Sequence, residues 1–252
     1  MSGYLAFVKK EFTENIKNDR FLILFAVFVF FGMGSAFLAK YTPQIIAASG
    51  TGLEVTADPT ALDAWQQFYK NISSVGYSAF LILFGSCMSG EYAGGTLLLL
   101  VTKGLPRPAV VLAKYTVAAV LMTVCFWSAF AAACIYTGYL WPGAGLAHVG
   151  LAAFFLWMGG VLYLGILMLG CVAFRQTFTC ILFTGGVVAL LSLLALAKPL
   201  EGINPLVLMS KNVDLIAGEA TAAEFAAPLA VALVLTAASL GAAVWLFNKK
   251  LL

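Results

Sequence analysis

Six stretches of this sequence stay apolar for about eighteen residues or more, the length that crosses a hydrocarbon core roughly 30 Å thick. They fall at about Phe21–Ala39, Ile72–Ser89, Tyr115–Tyr139, Val149–Phe174, Phe178–Ala197 and Pro228–Phe247. Only 10% of the 252 residues are charged and 62% are hydrophobic, too little charge to cover a water-soluble surface. Each run is continuously apolar instead of alternating, which favours helices over barrel strands. The expected fold class is therefore an all-α membrane protein with six transmembrane helices. No internal repeat, low-complexity tract or soluble domain stands out, so residues 1–252 read as a single transmembrane domain. The first run is expected to stay as an anchor, because its leading segment is mixed in charge and no clear small-x-small cleavage site follows.

Orientation follows from the Lys and Arg bias of the segments between spans. With the N-terminus cytoplasmic, all of the 14 Lys and Arg residues except Lys40, Lys70, Lys198 and Lys211 lie on the inner side. Both termini are thus expected in the cytoplasm and the protein in the cell (plasma or inner) membrane. Tyr136, Tyr139 and Trp141 suit the external boundary, where amphipathic rings are favoured. A net charge of +3, dispersed along the chain, argues against a nucleic-acid partner.

Two segments between spans are long, about 40–71 and 198–227, both external in this topology. The second carries Ile203, Leu206, Val207, Leu208, Met209, Leu215 and Ile216 between Pro199, Pro205 and Gly218, a pattern for short helices dipping into the outer leaflet. Residues 1–20 form an amphipathic interfacial helix candidate, or else a plain charged anchor for the first span: Tyr4, Leu5, Val8, Phe12 and Ile16 share one arc, opposite Lys10, Glu14 and Lys17, while Phe7 and Asn15 break the pattern.

The segment 90–114, after the second span, carries the most information. It begins Ser89-Gly90-Glu91-Tyr92-Ala93-Gly94-Gly95-Thr96, continues through the apolar stub Leu97–Val101, then turns at Thr102-Lys103-Gly104-Leu105-Pro106-Arg107-Pro108 toward Lys114. A carboxylate at a helix centre costs roughly 2.5–3.5 kcal/mol, so Glu91 marks the cytoplasmic end of the second span. The stub is too short to cross again, and an exposed apolar stub is a liability. Insertion between the chain's own helices and docking into a groove of a cytoplasmic partner both answer it.

Gly90-Glu91 … Gly95-Thr96, the following leucines, Thr102-Lys103-Gly104-Leu105-Pro106-Arg107 and Val110–Lys114 together resemble the signature of type-2 ATP-binding-cassette (ABC) transporter permeases. The layout is similar too: Gln67–Asn71 before the second span, Asn204-Pro205 in the last long external segment, and a basic C-terminal end. The match departs at Gly104, where the family often has Pro, and at Pro108, directly after Arg107. The resemblance implies a type-2 ABC exporter-like permease whose segment 90–114 is a coupling helix held in a cleft of a separate ATPase subunit. Carried over, Glu91, Gly95, Thr96, Leu97 and Leu98 would shape it, and Lys103 and Arg107 would hold its far end. It implies ABC-type ATPase subunits, a second permease copy or homologue, and the lipid bilayer as partners. No G-x-x-x-x-G-K-[ST] loop is present, so ATP and Mg are expected on the partner ATPase, with no cofactor in this chain.

Asn71, Ser74, Ser78, Gly85 and Ser89 recur at helical spacing and form a small or polar stripe. It suits either close packing within the chain or a dimer seam lining the translocation path. Thr177, Thr184, Gly185 and Ser192 make a weaker stripe on the fifth run, and Gly159-Gly160 and Gly185-Gly186 suit close packing or bending. The competing class is a secondary transporter or channel without an ATPase, which predicts ionisable residues deep in the spans; no run carries one. An intramembrane enzyme is disfavoured: His148 and Ser89 are expected at opposite faces, and Cys87, Cys125, Cys134, Cys171 and Cys180 lack metal-site spacing. No catalytic or metal residue is expected.

Overall fold

The computed structural model describes residues 3–48, 58–95, 97, 102, 104–197 and 202–249. Among these every regular element is helical, and six helices are long and apolar enough to cross a membrane. We number them α1 (Gly3–Lys17), α2 (Arg20–Ala48), α3 (Ala61–Asn71), α4 (Tyr77–Gly85), α5 (Ser89–Gly94), α6 (Arg107–Leu140), α7 (Val149–Ala173), α8 (Thr177–Ala195), α9 (Val207–Ser210), α10 (Asn212–Ala217) and α11 (Ala226–Lys249). A single π-helical turn, Ile72–Gly76, joins α3 to α4, so that 61–92 acts as one interrupted span.

The helices outrun the apolar stretches, for local reasons. α3 starts eleven residues before the second run because Thr60 and Asp63 form a reciprocal cap, Thr60 N–H donating to Asp63 Oδ2 at 2.8 Å. Its apolar side, Trp65, Phe68 and Tyr69, is buried while Gln66 and Lys70 face out, an amphipathic pattern that a hydropathy window overlooks. α6 starts at Arg107, with Pro108 in the first turn where no helical N–H is needed. Lys114 is therefore helical, two turns into the third span, and not the end of a loop.

α7 is the central helix: 72% of its spanning window is buried, against 11% for α8. Glycines let neighbours come close to it. A Cβ on Gly160 would sit 2.8 Å from the Tyr77 ring, and one on Gly159 2.7 Å from Met209. That pair serves packing, whereas Gly185 and Gly186 face open space. α2 meets α6 through small residues: a Cβ on Gly32 would run into the Ala129 carbonyl oxygen, with Ala36 and Ala133 buried one turn along. The short helices α9 and α10 pack on α7, burying Leu208 and Leu215. Asn204 ties this region to α8, its Nδ2 donating to Leu191 O at 2.6 Å while its Oδ1 accepts from Leu206 N at 2.9 Å.

Candidate coupling site

α1 has three sides, which one apolar arc does not describe. Phe7, Glu11 and Asn15, spaced four apart, are buried against the bundle. Leu5, Phe12 and Ile16 are 53%, 40% and 45% exposed, an apolar side with no protein neighbour to cover it. The remaining side carries Lys9, Thr13 and Lys17, all exposed. Phe7 and Asn15 break the sequence pattern because they belong to the packed side.

Glu11 is the residue that sequence reasoning missed. It is 4% exposed, and its carboxylate accepts from Lys114 Nζ at 2.8 Å and from Lys10 Nζ at 2.9 Å. Glu91 Oε1 accepts from the same two amines, at 3.2 Å from Lys114 and 3.1 Å from Lys10. Lys10 also reaches Glu14 at 2.7 Å. Burial acts to lower the Lys10 pKa, but its bonds to Glu14 and Glu11 outweigh burial and raise it above the ordinary lysine value. The same Lys10 bond holds the Glu14 carboxyl below its ordinary value. Glu14 therefore supports the folded α1 above the ordinary carboxylate range and ceases to as pH falls through its lowered value; Lys10 supports the helix and, through Glu91, its docking until pH rises through its raised one. At neutral pH both stay charged.

The network joins the end of the second span to the early turns of the third. Glu91 sits on α5 and Lys114 on α6, and Glu11 adds α1 to the pair. On its other side α5 meets α8: Ser89 Oγ lies 2.7 Å from Thr177 Oγ1, and the Arg175 guanidinium stacks 5.8 Å from the Tyr92 ring centroid. Arg107 donates to the carbonyls of Asn248 at 2.9 Å and Phe247 at 3.4 Å, a cation at the C-terminal end of α11. α5 and the start of α6 thus touch α1, α8 and α11 at one end of the bundle.

Gly95 (φ +66°) and Gly104 (φ +86°) turn the chain on either side of the stub, in a left-handed conformation that costs residues with a Cβ roughly 1–2 kcal/mol. Leu97 is 2% exposed and belongs to the core, so at that position the chain inserts into its own bundle. Thr96, Leu98 and Lys103 lie outside the described residues.

The polar stripe is divided. Asn71 Nδ2 donates to Ser35 Oγ on α2 at 3.2 Å, and Gly85 and Ser89 are covered by α8, a Cβ on Gly85 falling 2.9 Å from Ile181. Ser74 and Ser78 stay exposed beside Val75 and Ile82. In the weaker stripe Thr184 is buried, bonding to Cys180 O, while Gly185 and Ser192 are exposed. Cys171 and Cys180, distant in sequence from Cys87, share a buried junction with it: Cys171 Sγ lies 2.7 Å from Cys180 Sγ and 3.3 Å from Gly85 O. Among the described residues no group of three His, Cys, Asp or Glu could hold a metal ion. His148 occupies the N-cap of α7, the helix end remote from Arg175, so it forms no pair with Ser89.

Six apolar helices, with α7 the most buried among them and a charged hub at one end, define a multi-pass membrane protein of transporter type. The chain matches the family model described as ABC-2 family transporter protein over residues 5–252 and belongs to that family. It is a membrane permease of the ABC transporter class. No curated protein matches it.

Proposed function

We propose that this chain is the transmembrane permease subunit of an ATP-driven exporter, moved by a separate ATPase subunit that binds ATP and Mg and grips the segment 90–114 from the cytoplasm. The observation that carries this reading is the buried Glu91–Lys114 contact at 3.2 Å, shared with Glu11. It ties the start of the segment, and the helix into which the segment runs, to one rigid point, so a push on it would move α1, α6 and α8 together instead of dissipating in a flexible loop. Glu91 and Arg107 anchor the segment, Gly95 turns it, Leu97 pins it to the core, and Thr96, Leu98 and Lys103 form the part offered to the ATPase. Closure of the ATPase around nucleotide would then tilt the spans, and cargo must bind the inward and outward states with different affinity for that motion to be useful. Both termini lie on the cytoplasmic side in this reading.

Leu98→Glu should abolish copurification of the permease with its ATPase while leaving it inserted, because the variant puts charge into the proposed docking segment and keeps Glu11, Glu91 and Lys114 unchanged. Undiminished copurification would show that the ATPase does not grip there.

A second permease copy, identical or related, is the proposed cover for the exposed side of α4 and α8, with Ser74 and Ser78 facing the translocation path and Asn71, Gly85 and Ser89 supporting it from within the subunit. Ser78→Leu should reduce transport by about tenfold or more while leaving the amount of assembled complex unchanged, since a large apolar group would then occupy the path. Full transport by the variant would return Ser78 to a lipid-facing role.

A further inference from the structure

The third side of α1 carries two lysines, Lys9 and Lys17, that have no part in the coupling hub, and we propose that it binds the phosphate headgroups of anionic phospholipids in the leaflet that α1 touches. Lys9 and Lys17 lie two helical turns apart, about 12 Å along the axis. Both are exposed, and no acid within salt-bridge distance of either is found among the described residues. Lys10, one position round the helix, is committed to Glu11, Glu14 and Glu91, and so cannot serve as a lipid contact without giving up the hub.

Between the two lysines the side chains are short. Thr13 between them and Ala6 one turn before Lys9 leave a shallow depression of about 500 Å³, bordered by both lysines, by Asn18 and by the hub pair Lys10 and Glu14. Glu14 is the one acid on its rim, and Lys10 at 2.7 Å balances that charge. The Thr13 hydroxyl donates to Lys9 O at 2.8 Å, leaving the lysine amines and the Asn18 amide as the donors that face outward. Asp19, in the turn before α2, is the opposing charge nearby and is exposed.

The choice of a lipid over a soluble anion comes from the neighbouring side. Leu5, Phe12 and Ile16 are uncovered by protein and adjoin Lys9 on the helix circumference. Sunk among acyl chains, they set Lys9 and Lys17 at phosphate depth, where each lysine strengthens attachment to an anionic surface by roughly fivefold. The inference rests on α1 lying on a membrane and not on the coupling reading. Lipid held there bears on the same helix that carries Glu11, which makes α1 docking sensitive to leaflet charge.

The test uses the purified full chain in nanodiscs of equimolar phosphatidylglycerol and phosphatidylcholine, with no ATPase present. Native mass spectrometry reads the lipids that remain bound after release. The expected result is preferential retention of phosphatidylglycerol, lowered more than tenfold in the double variant Lys9→Gln, Lys17→Gln and kept in Lys9→Arg, Lys17→Arg, with inorganic phosphate failing to displace the lipid. Equal phosphatidylglycerol retention by the glutamine variant would overturn the proposal, as would loss in the arginine variant. Displacement by inorganic phosphate would reassign the depression to a soluble anion. An ATPase pull-down that failed while lipid retention behaved as expected would sink the coupling reading alone.

Discussion

Lys114→Met should destabilise the folded chain by about 3–5 kcal/mol, because it keeps the aliphatic stem but strips a buried amine from two carboxylates. Glu11 and Glu91, 4% and 8% exposed, would then face each other with Lys10 as their nearest remaining cation. Pairing the change with Glu11→Gln should recover part of the loss, since the two residues act as one unit and their effects are not additive. The measurement is thermal inactivation in detergent, followed as a half-life at fixed temperature because large membrane proteins seldom unfold reversibly, together with proteolysis of α1. A half-life equal to that of the parent would mean that the network contributes nothing to holding α1.

The second large effect is expected from Gly32→Ala. The added methyl would run into the Ala129 carbonyl oxygen and lie 3.0 Å from the Ala129 Cα, both backbone atoms that no side-chain rotation can move aside. α2 must therefore draw away from α6 along its length, at a cost of roughly 1–3 kcal/mol for overpacking. Gly34, two residues on, supplies the control: a Cβ there meets nothing within 4 Å. Gly34→Ala should be neutral or mildly stabilising, as alanine is the better helix former. The same thermal assay separates them, and equal behaviour of the two alanine variants would contradict the close approach of α2 and α6.

The contrast between Gly32 and Gly34 marks the limit of what the sequence reveals. Six spans were legible because crossing a bilayer demands continuous apolar length, a property of the linear chain. Which side of a helix faces protein was far less so, because lipid and core are both apolar and the usual inside-outside pattern fades. On α1 it misleads outright: Leu5, Phe12 and Ile16 are exposed, while Glu11 and Asn15 are buried. Glu91 and Lys114 stood out through their motif, yet nothing local to either announces that they meet; their partner Glu11 lies more than a hundred residues from Lys114. Leu97 illustrates the remaining ambiguity, since an apolar stub after a polar turn serves equally for insertion and for docking, and only the folded chain puts this residue in the core. The division of the Asn71–Ser89 stripe likewise depends on where α8 crosses, which is a tertiary matter.

α8 is the least enclosed of the spans, and its two ends are fastened differently. At the foot, Thr177 touches Ser89 and Ile181 leans on Gly85; near the top, the amide of Asn204 grips the Leu191 carbonyl. Such a helix works as a connecting rod about 28 Å long, from the 1.5 Å rise of each of its 19 residues. In the proposed coupling, a shift at α5 on one face of the bilayer would arrive at α9 and α10 on the other without passing through the rigid centre of the bundle, and a single asparagine would be the pin that transmits it.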